Sequence, residues 1–120
     1  MLLHSDPEPT GVPENPTEAD LKPWRTRIDA IDRAMLELMN ERVRCAGMIG
    51  AIKKRIGLPV YVPSREAEVI RNVVSANAGP LPDAAVRRLF ERVIDETRSL
   101  ERHQYQGDVR DGTGWPLDLE

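Results

Sequence analysis

Residues 21–56 read LKPWRTRIDAIDRAMLELMNERVRCAGMIGAIKKRI. Apolar side chains recur there three and four apart: Leu21, Trp24, Ile28, Ile31, Met35, Leu38, Cys45, Ile49, Ile52 and Ile56. That period is helical, so these residues line a seam on one long helix. One beat of the rhythm, Arg42, is charged. A guanidinium keeps its charge, and burying it unpaired is very costly. Arg42 therefore either has a carboxylate partner or receives an anion.

The chain has 120 residues, enough for one domain with a modest core. With two Trp, two Tyr and one Phe, that core must be aliphatic. No segment alternates as a strand would, which leaves an all-α fold. The net charge of −3 argues against a general nucleic-acid binder, although basic residues are dense from Arg25 to Arg71. Cys45 is the single cysteine, so no intrachain disulfide forms, as in a reducing compartment. The N-terminus, MLLHSDPEPT, is too short in apolar residues and too acidic for a signal peptide. No stretch has the length of a membrane span. The expected location is the cytoplasm.

Turn and cap residues divide the chain. Residues 1–19, with Pro7, Pro9, Pro13 and Pro16, read as a flexible leader. Residues 20–106 form the helical domain, and 107–120 a tail rich in Gly and Asp. Asp20 is the expected N-cap of the first helix, with Pro23 in its first turn. Gly57, followed by Pro59, is its stop. Ser64 is the expected cap of a second helix, with Glu66 and Glu68 favoured near its positive end. Its apolar face is Val69, Ile70, Val73 and Val74, and Asn77-Ala78-Gly79-Pro80 ends it. A third helix starts near Pro82-Asp83 and carries Val86, Leu89, Phe90, Val93, Ile94, Thr97 and Leu100 on one face. Gly107 is its expected stop. Trp115, Leu117 and Leu119 give the tail apolar groups with which to dock.

A helix of roughly 35 residues is about 50 Å long. A compact monomer of this length has a radius of gyration near 14 Å, roughly 35 Å across. The first helix would protrude with a bare apolar seam. A second copy laying the same helix alongside removes the exposure, so the expectation is an intertwined homodimer.

Several charged residues sit where chemistry is possible. At about 100° per residue, Arg42 and Lys53 point within roughly 20° of one another, about 16 Å apart along the axis. Ala46 and Ile49 lie between them as a small apolar floor. Arg25 points about 100° away, so it serves a site on the partner chain better than one on its own. Arg65 and Glu66 open the second helix, and Thr97 and Glu101 continue the apolar face of the third. Each has a plainer reading. A lone arginine in the position of Arg42 is more often a register device between paired helices or a snorkelling side chain than a ligand site, and Lys53 reads as a solvated helix end. Ser64-Arg65-Glu66 reads as a bare helix start, and Glu101 as a fraying carboxylate or a partner of Arg98. Cys45 reads as a small core residue. His4 and His103 lack metal-ligand spacing, and no phosphate loop, zinc pattern or nucleophile elbow is present.

The ordered set is more specific than its parts. It runs Arg-x-x-Ile-Asp-x-Ile-Asp at 25–32, Glu41-Arg42, Ile-Gly-x-x-Lys at 49–53, Gly-x-Pro-Val at 57–60, then Arg65-Glu66. From about Leu21 to Gln104, this strongly resembles the all-helical, AroQ-type chorismate mutase family. The resemblance implies a three-helix chain with a very long first helix, intertwined as a homodimer with two active sites. It implies conversion of chorismate to prephenate, a step toward phenylalanine and tyrosine.

By position, the resemblance has Arg25 cross from the other subunit to grip one substrate carboxylate, while Arg42 grips the other. It places Lys53 on the ether oxygen and a carboxylate, and Glu66 on the ring hydroxyl with Arg65 beside it. Thr97 falls where a carboxylate contact is made, and Glu101 where the ether oxygen is faced. The family often has Asp-x-x-Arg-Glu before the second helix; here it is Val62-Pro63-Ser64-Arg65-Glu66. Val62 keeps a backbone role toward the hydroxyl but no side-chain role.

The implied reaction is intramolecular and needs no nucleophile, proton transfer, cofactor or metal. The protein holds a flexible dianion in its reactive chair and stabilises charge growing on the breaking ether bond. Two Arg and a Lys meet the first need; Lys53 and a protonated Glu101 meet the second. Three alternatives remain open on sequence. One is an isochorismate-pyruvate lyase, another a weakly active module that binds a larger shikimate-pathway enzyme, and the third an inactive dimerisation scaffold.

Overall fold

A computed structural model describes residues 11–106. The first ten residues of the expected leader lie outside the described residues. So do the Gly107 stop and the 107–120 tail with Trp115, Leu117 and Leu119. Among the described residues every regular element is helical: a 3₁₀ turn at Glu18–Leu21, α1 at Lys22–Ile56, α2 at Pro63–Ala76 and α3 at Asp83–Gln106. The all-α expectation holds, and α1 is 35 residues long. Among the described residues no helix is long and apolar enough to cross a membrane.

The start of α1 corrects the expected cap. Asp20 lies inside the 3₁₀ turn, and Thr17 occupies the cap position. The Asp20 carboxylate reaches back to accept the Thr17 N–H at 2.8 Å, while the Asp20 N–H donates to the Thr17 carbonyl at 3.0 Å. An acidic residue three places after a threonine forms this reciprocal closure, and the turn feeds directly into α1. The first described helical turn therefore starts at Glu18.

The other end of α1 follows the expectation. Gly57 has φ +78°, the left-handed conformation that only glycine adopts without cost. The Leu58 N–H then returns to the Lys53 carbonyl at 2.9 Å, satisfying an acceptor that the helix leaves open. Lys53, Lys54 and Arg55 sit in this last turn, where the helix dipole favours cations.

In α2 the cap is Val62, not Ser64, and the helix starts at Pro63. Proline's fixed φ and missing N–H suit the first helical position, so Pro63 outranks the serine that follows it. Asn77 ends α2 and organises the turn into α3. Its amide donates to the Leu81 carbonyl and to an Asp83 carboxylate oxygen, both at 2.8 Å, while its Oδ1 accepts the Gly79 N–H at 3.1 Å.

The chain divides into two compact units, the first ending at Arg42 and the second beginning at Val43. In the first unit Trp24, Ile28, Met35 and Leu38 are each 43–59% exposed. In the second unit α2 packs on α3. Its buried apolar residues are Ala46, Ile70, Val86 and Ile94. Val69, Val73, Val74, Phe90, Val93 and Leu100 are half-buried around them, whereas Leu89, expected on the inner face, is exposed. On α1 the buried residues are Ala46, Gly47 and Gly50, while Ile49 and Ile52 are exposed. The closed stripe of α1 is thus made of small residues, and its larger aliphatic side chains remain open.

Candidate active site

Within the second unit, a chain of contacts links the end of α1, the loop before α2, and both following helices. The Lys53 ammonium donates to the Val60 carbonyl at 3.0 Å. Its backbone carbonyl already holds Leu58, so Lys53 is tied to the loop at both ends. An ammonium has three donors, and Val60 takes one. The Val62 carbonyl accepts the N–H groups of Arg65 at 3.0 Å and Glu66 at 3.2 Å. Helix initiation occupies that carbonyl, so a backbone contact from Val62 to a ligand falls to its N–H.

Glu66 is gripped by Arg98 of α3. The guanidinium donates from Nε to Oε2 and from Nη2 to Oε1, both at 3.0 Å. This is the paired geometry that makes arginine–carboxylate contacts strong and directional. The two side chains are only 28% and 25% exposed, so solvent screens them less than a surface pair. Nη2 also reaches Asp95 at 3.3 Å. The Tyr61 ring lies under the guanidinium, 4.8 Å from Cζ to the ring centre. Such a stacked contact contributes about 0.5–1 kcal/mol at an exposed site. The Glu66 hydrogen bond, ahead of every other influence, raises the Arg98 pKa above its ordinary value; desolvation acts in the opposite direction.

Thr97 and Glu101 flank Arg98 on α3. The Thr97 hydroxyl donates to the Val93 carbonyl at 2.8 Å, and Thr97 is half-buried. Glu101 is 9% exposed and lies within the helix, contrary to the frayed-end alternative. Arg65 turns outward instead and pairs with Glu68 at 2.9 Å, with both side chains more than half exposed. Arg25 is exposed and Arg42 half-buried, both in the first unit. Cys45 is exposed, so it is not the core residue expected.

Arg98 and Tyr61 are the residues that sequence reasoning misses. The sequence offers Arg98 only as a neighbour of Glu101, because a partner 32 residues away leaves no spacing signal. An open cavity of about 330 Å³ lies along the same pair, lined by Glu66, Ala67, Ile70, Glu91, Ile94, Asp95 and Arg98. Three carboxylates and one already engaged guanidinium make it a poor seat for a dianion. Lys53, Thr97 and Glu101 are not in its lining.

Comparison with known proteins gives this geometry a context. Residues 24–102 match the family model described as chorismate mutase type II. A bifunctional chorismate mutase/prephenate dehydratase from Neisseria gonorrhoeae is 45% identical over 82 residues, 68% of this chain and 22% of that protein. The chain thus spans less than a quarter of that relative's length. A 4-amino-4-deoxychorismate mutase from Streptomyces pristinaespiralis is 35% identical over 79 residues, 64% of this chain and 60% of that one. The solved chorismate mutase (form II) of Thermus thermophilus superposes with a TM-score of 0.69 at 34% identity, covering 71% of this chain and 97% of that structure. With the family model spanning most of the helical region, and a solved mutase matched almost end to end, the chain belongs to the type II chorismate mutases.

Proposed function

We propose that this chain rearranges chorismate to prephenate, acting as a homodimer in the cytoplasm. The observation that carries the reading is the ordered set Arg25, Arg42, Lys53, Glu66, Thr97 and Glu101, all inside the matched residues 24–102. Arg42 and a partner-chain Arg25 hold the two carboxylates. Lys53 and Glu101 address the ether oxygen, Lys53 as a cation and Glu101 as a donor when protonated. Glu101 is 9% exposed, so its carboxyl faces the interior and not solvent. Thr97 meets a carboxylate by turning its proton away from Val93. Glu66 accepts from the ring hydroxyl, and the Val62 N–H donates to it. Arg65 acts only as a neighbour, its side chain being paired with Glu68 on the surface.

The dimer reading is supported by α1, whose Ile28, Met35, Leu38, Ile49, Ile52 and Ile56 are each 48–63% exposed. Covering a half-exposed aliphatic side chain contributes about 1 kcal/mol. A dozen such groups over two copies exceed the lower estimates of association cost, about 4 kcal/mol. The joined name of the gonococcal relative supports a second proposal, that a larger shikimate-pathway enzyme is a partner. Residues 1–19, 20–106 and 107–120 are proposed as leader, catalytic domain and tail.

The decisive assay incubates the purified protein separately with chorismate and isochorismate and identifies the products. Prephenate from chorismate, without pyruvate release from isochorismate, is expected. Pyruvate release alone would establish the lyase instead, and no product from either would reject both activities.

A further inference from the structure

We propose that Arg98 is a positioning residue that makes the site select a ring hydroxyl over a ring amino group. The inference rests on Glu66 facing the ring substituent of the substrate. Arg98 approaches Glu66 through two parallel hydrogen bonds of 3.0 Å, one to each carboxylate oxygen. Each oxygen has about two acceptor positions, so the fork fixes the carboxylate and still leaves it able to accept from a ligand. Tyr61 stacks on the guanidinium, and Asp95 holds Nη2 from within α3, so the fork is itself held from two sides.

The fork also offsets the carboxylate's charge with that of Arg98, at side-chain exposures of 25% and 28%. A neutral hydroxyl needs only an oriented acceptor and loses nothing by this. A ring ammonium is favoured most by an uncompensated carboxylate; Arg98 takes up that attraction at Glu66, while Asp95, 3.3 Å from Nη2, and Glu91 on the cavity wall offset part of the guanidinium charge and set the size of the effect. The same carboxylate therefore discriminates between the two substituents according to whether a cation already occupies it. The type II relatives make this choice a real one, since a mutase named for 4-amino-4-deoxychorismate resembles this chain.

The test compares chorismate with 4-amino-4-deoxychorismate on the full chain. The readout is kcat/KM, or the competitive inhibition constant where the amino compound is not turned over. Arg98→Met keeps most of the side-chain volume and removes the charge. It should lower kcat/KM for chorismate, mainly through KM, and shift the amino-to-hydroxyl preference by about tenfold, the lower end for a charged hydrogen bond. Arg98→Gln should shift the preference the same way, and serves if Arg98→Met loses helix content. Arg98→Lys keeps the charge without the fork; it should weaken chorismate binding but leave the preference near that of wild type.

An unchanged preference in folded Arg98→Met or Arg98→Gln would overturn the proposal. So would a preference shift in Arg98→Lys as large as in Arg98→Met. Glu66→Gln separates the underlying reading: if it alters KM for neither compound, Glu66 does not face the ring substituent. If Glu66→Gln does alter KM while Arg98→Met leaves the preference fixed, only the role given to Arg98 falls.

Discussion

Gly57→Ala tests whether the stop of α1 positions the Lys53 ammonium. Gly57 has φ +78°, and a Cβ placed there meets nothing within 4 Å. The substitution therefore creates no clash with other atoms, and its effect is conformational. Holding alanine in the left-handed region costs about 1–2 kcal/mol. Alanine also restricts the unfolded chain, which offsets about 0.4–1 kcal/mol of that. The net loss is about 1 kcal/mol, or a fall in Tm of roughly 3–6 °C for a domain of this size. Gly57→Asn should lose less, because asparagine tolerates the left-handed region.

The functional effect should exceed this loss. The turn carries both the Leu58-to-Lys53 backbone bond and the Lys53-to-Val60 side-chain bond. A chain that relaxes away from the left-handed conformation moves Val60, and the ammonium moves with it. Misplacement of a catalytic group by about 1 Å can cost up to about 100-fold in rate. At a temperature well below Tm, Gly57→Ala should reduce kcat by several-fold, and Gly57→Asn by less. Melting should be compared at one protein concentration, because association contributes to apparent stability. Wild-type kcat in a Gly57→Ala protein with lowered Tm would refute the link from turn to ammonium. An unchanged Tm would refute the strain argument itself.

Sedimentation at micromolar concentration should show a dimer, and Leu38→Glu, which places a carboxylate on the open face of α1, should dissociate it with loss of activity; a stable folded wild-type monomer would reject the dimer. Arg25→Ala and Arg42→Ala should each lose most activity. Co-refolding the two should restore about a quarter of it, since half the dimers are then mixed and each mixed dimer has one intact site of two; inert mixed dimers would reject the crossing of Arg25. Wild-type activity should fall as pH rises through the titration of Glu101, because the ionised group cannot donate to the ether oxygen. Glu101→Gln should stay active with that fall flattened, and identical pH–rate profiles would remove Glu101 from the ether oxygen.

The helices are legible because their signals are local. An apolar rhythm, a Gly-x-Pro stop and a Pro-Asp start each specify backbone conformation within a few residues. The same locality misplaces the caps. Ser64 and Asp20 are good caps in isolation, but Pro63 and the Thr17–Asp20 closure compete for the same turns and win. The seam reads as apolar, which is right, and as uniform, which is not. Ala46, Gly47 and Gly50 are closed off while Ile49 is open, and no periodicity separates a residue buried in its own chain from one awaiting another. The Glu66–Arg98 fork is illegible for a different reason. It joins two helices whose packing angle the sequence does not state, and a guanidinium at position 98 reads only as a possible partner of Glu101 until α2 is laid beside α3.

Charge distribution shows why the net value misleads about the site. The chain is acidic overall at −3, yet α1 carries nine Lys and Arg against four Asp and Glu. The surplus cations sit on one helix, and the acidic surplus lies elsewhere. A pairing of two α1 helices would concentrate four arginines, Arg25 and Arg42 from each copy, near the shared surface. In the proposed reaction a dianionic substrate in each site would balance this concentration of positive charge. On this account the three cations follow from the substrate's chemistry: two carboxylates to grip, and an ether oxygen that gains charge as its bond breaks. Arg98 forms its two-bond fork with Glu66; under the proposed reading it orients that acceptor, while Arg25, Arg42 and Lys53 are the groups assigned to the anion.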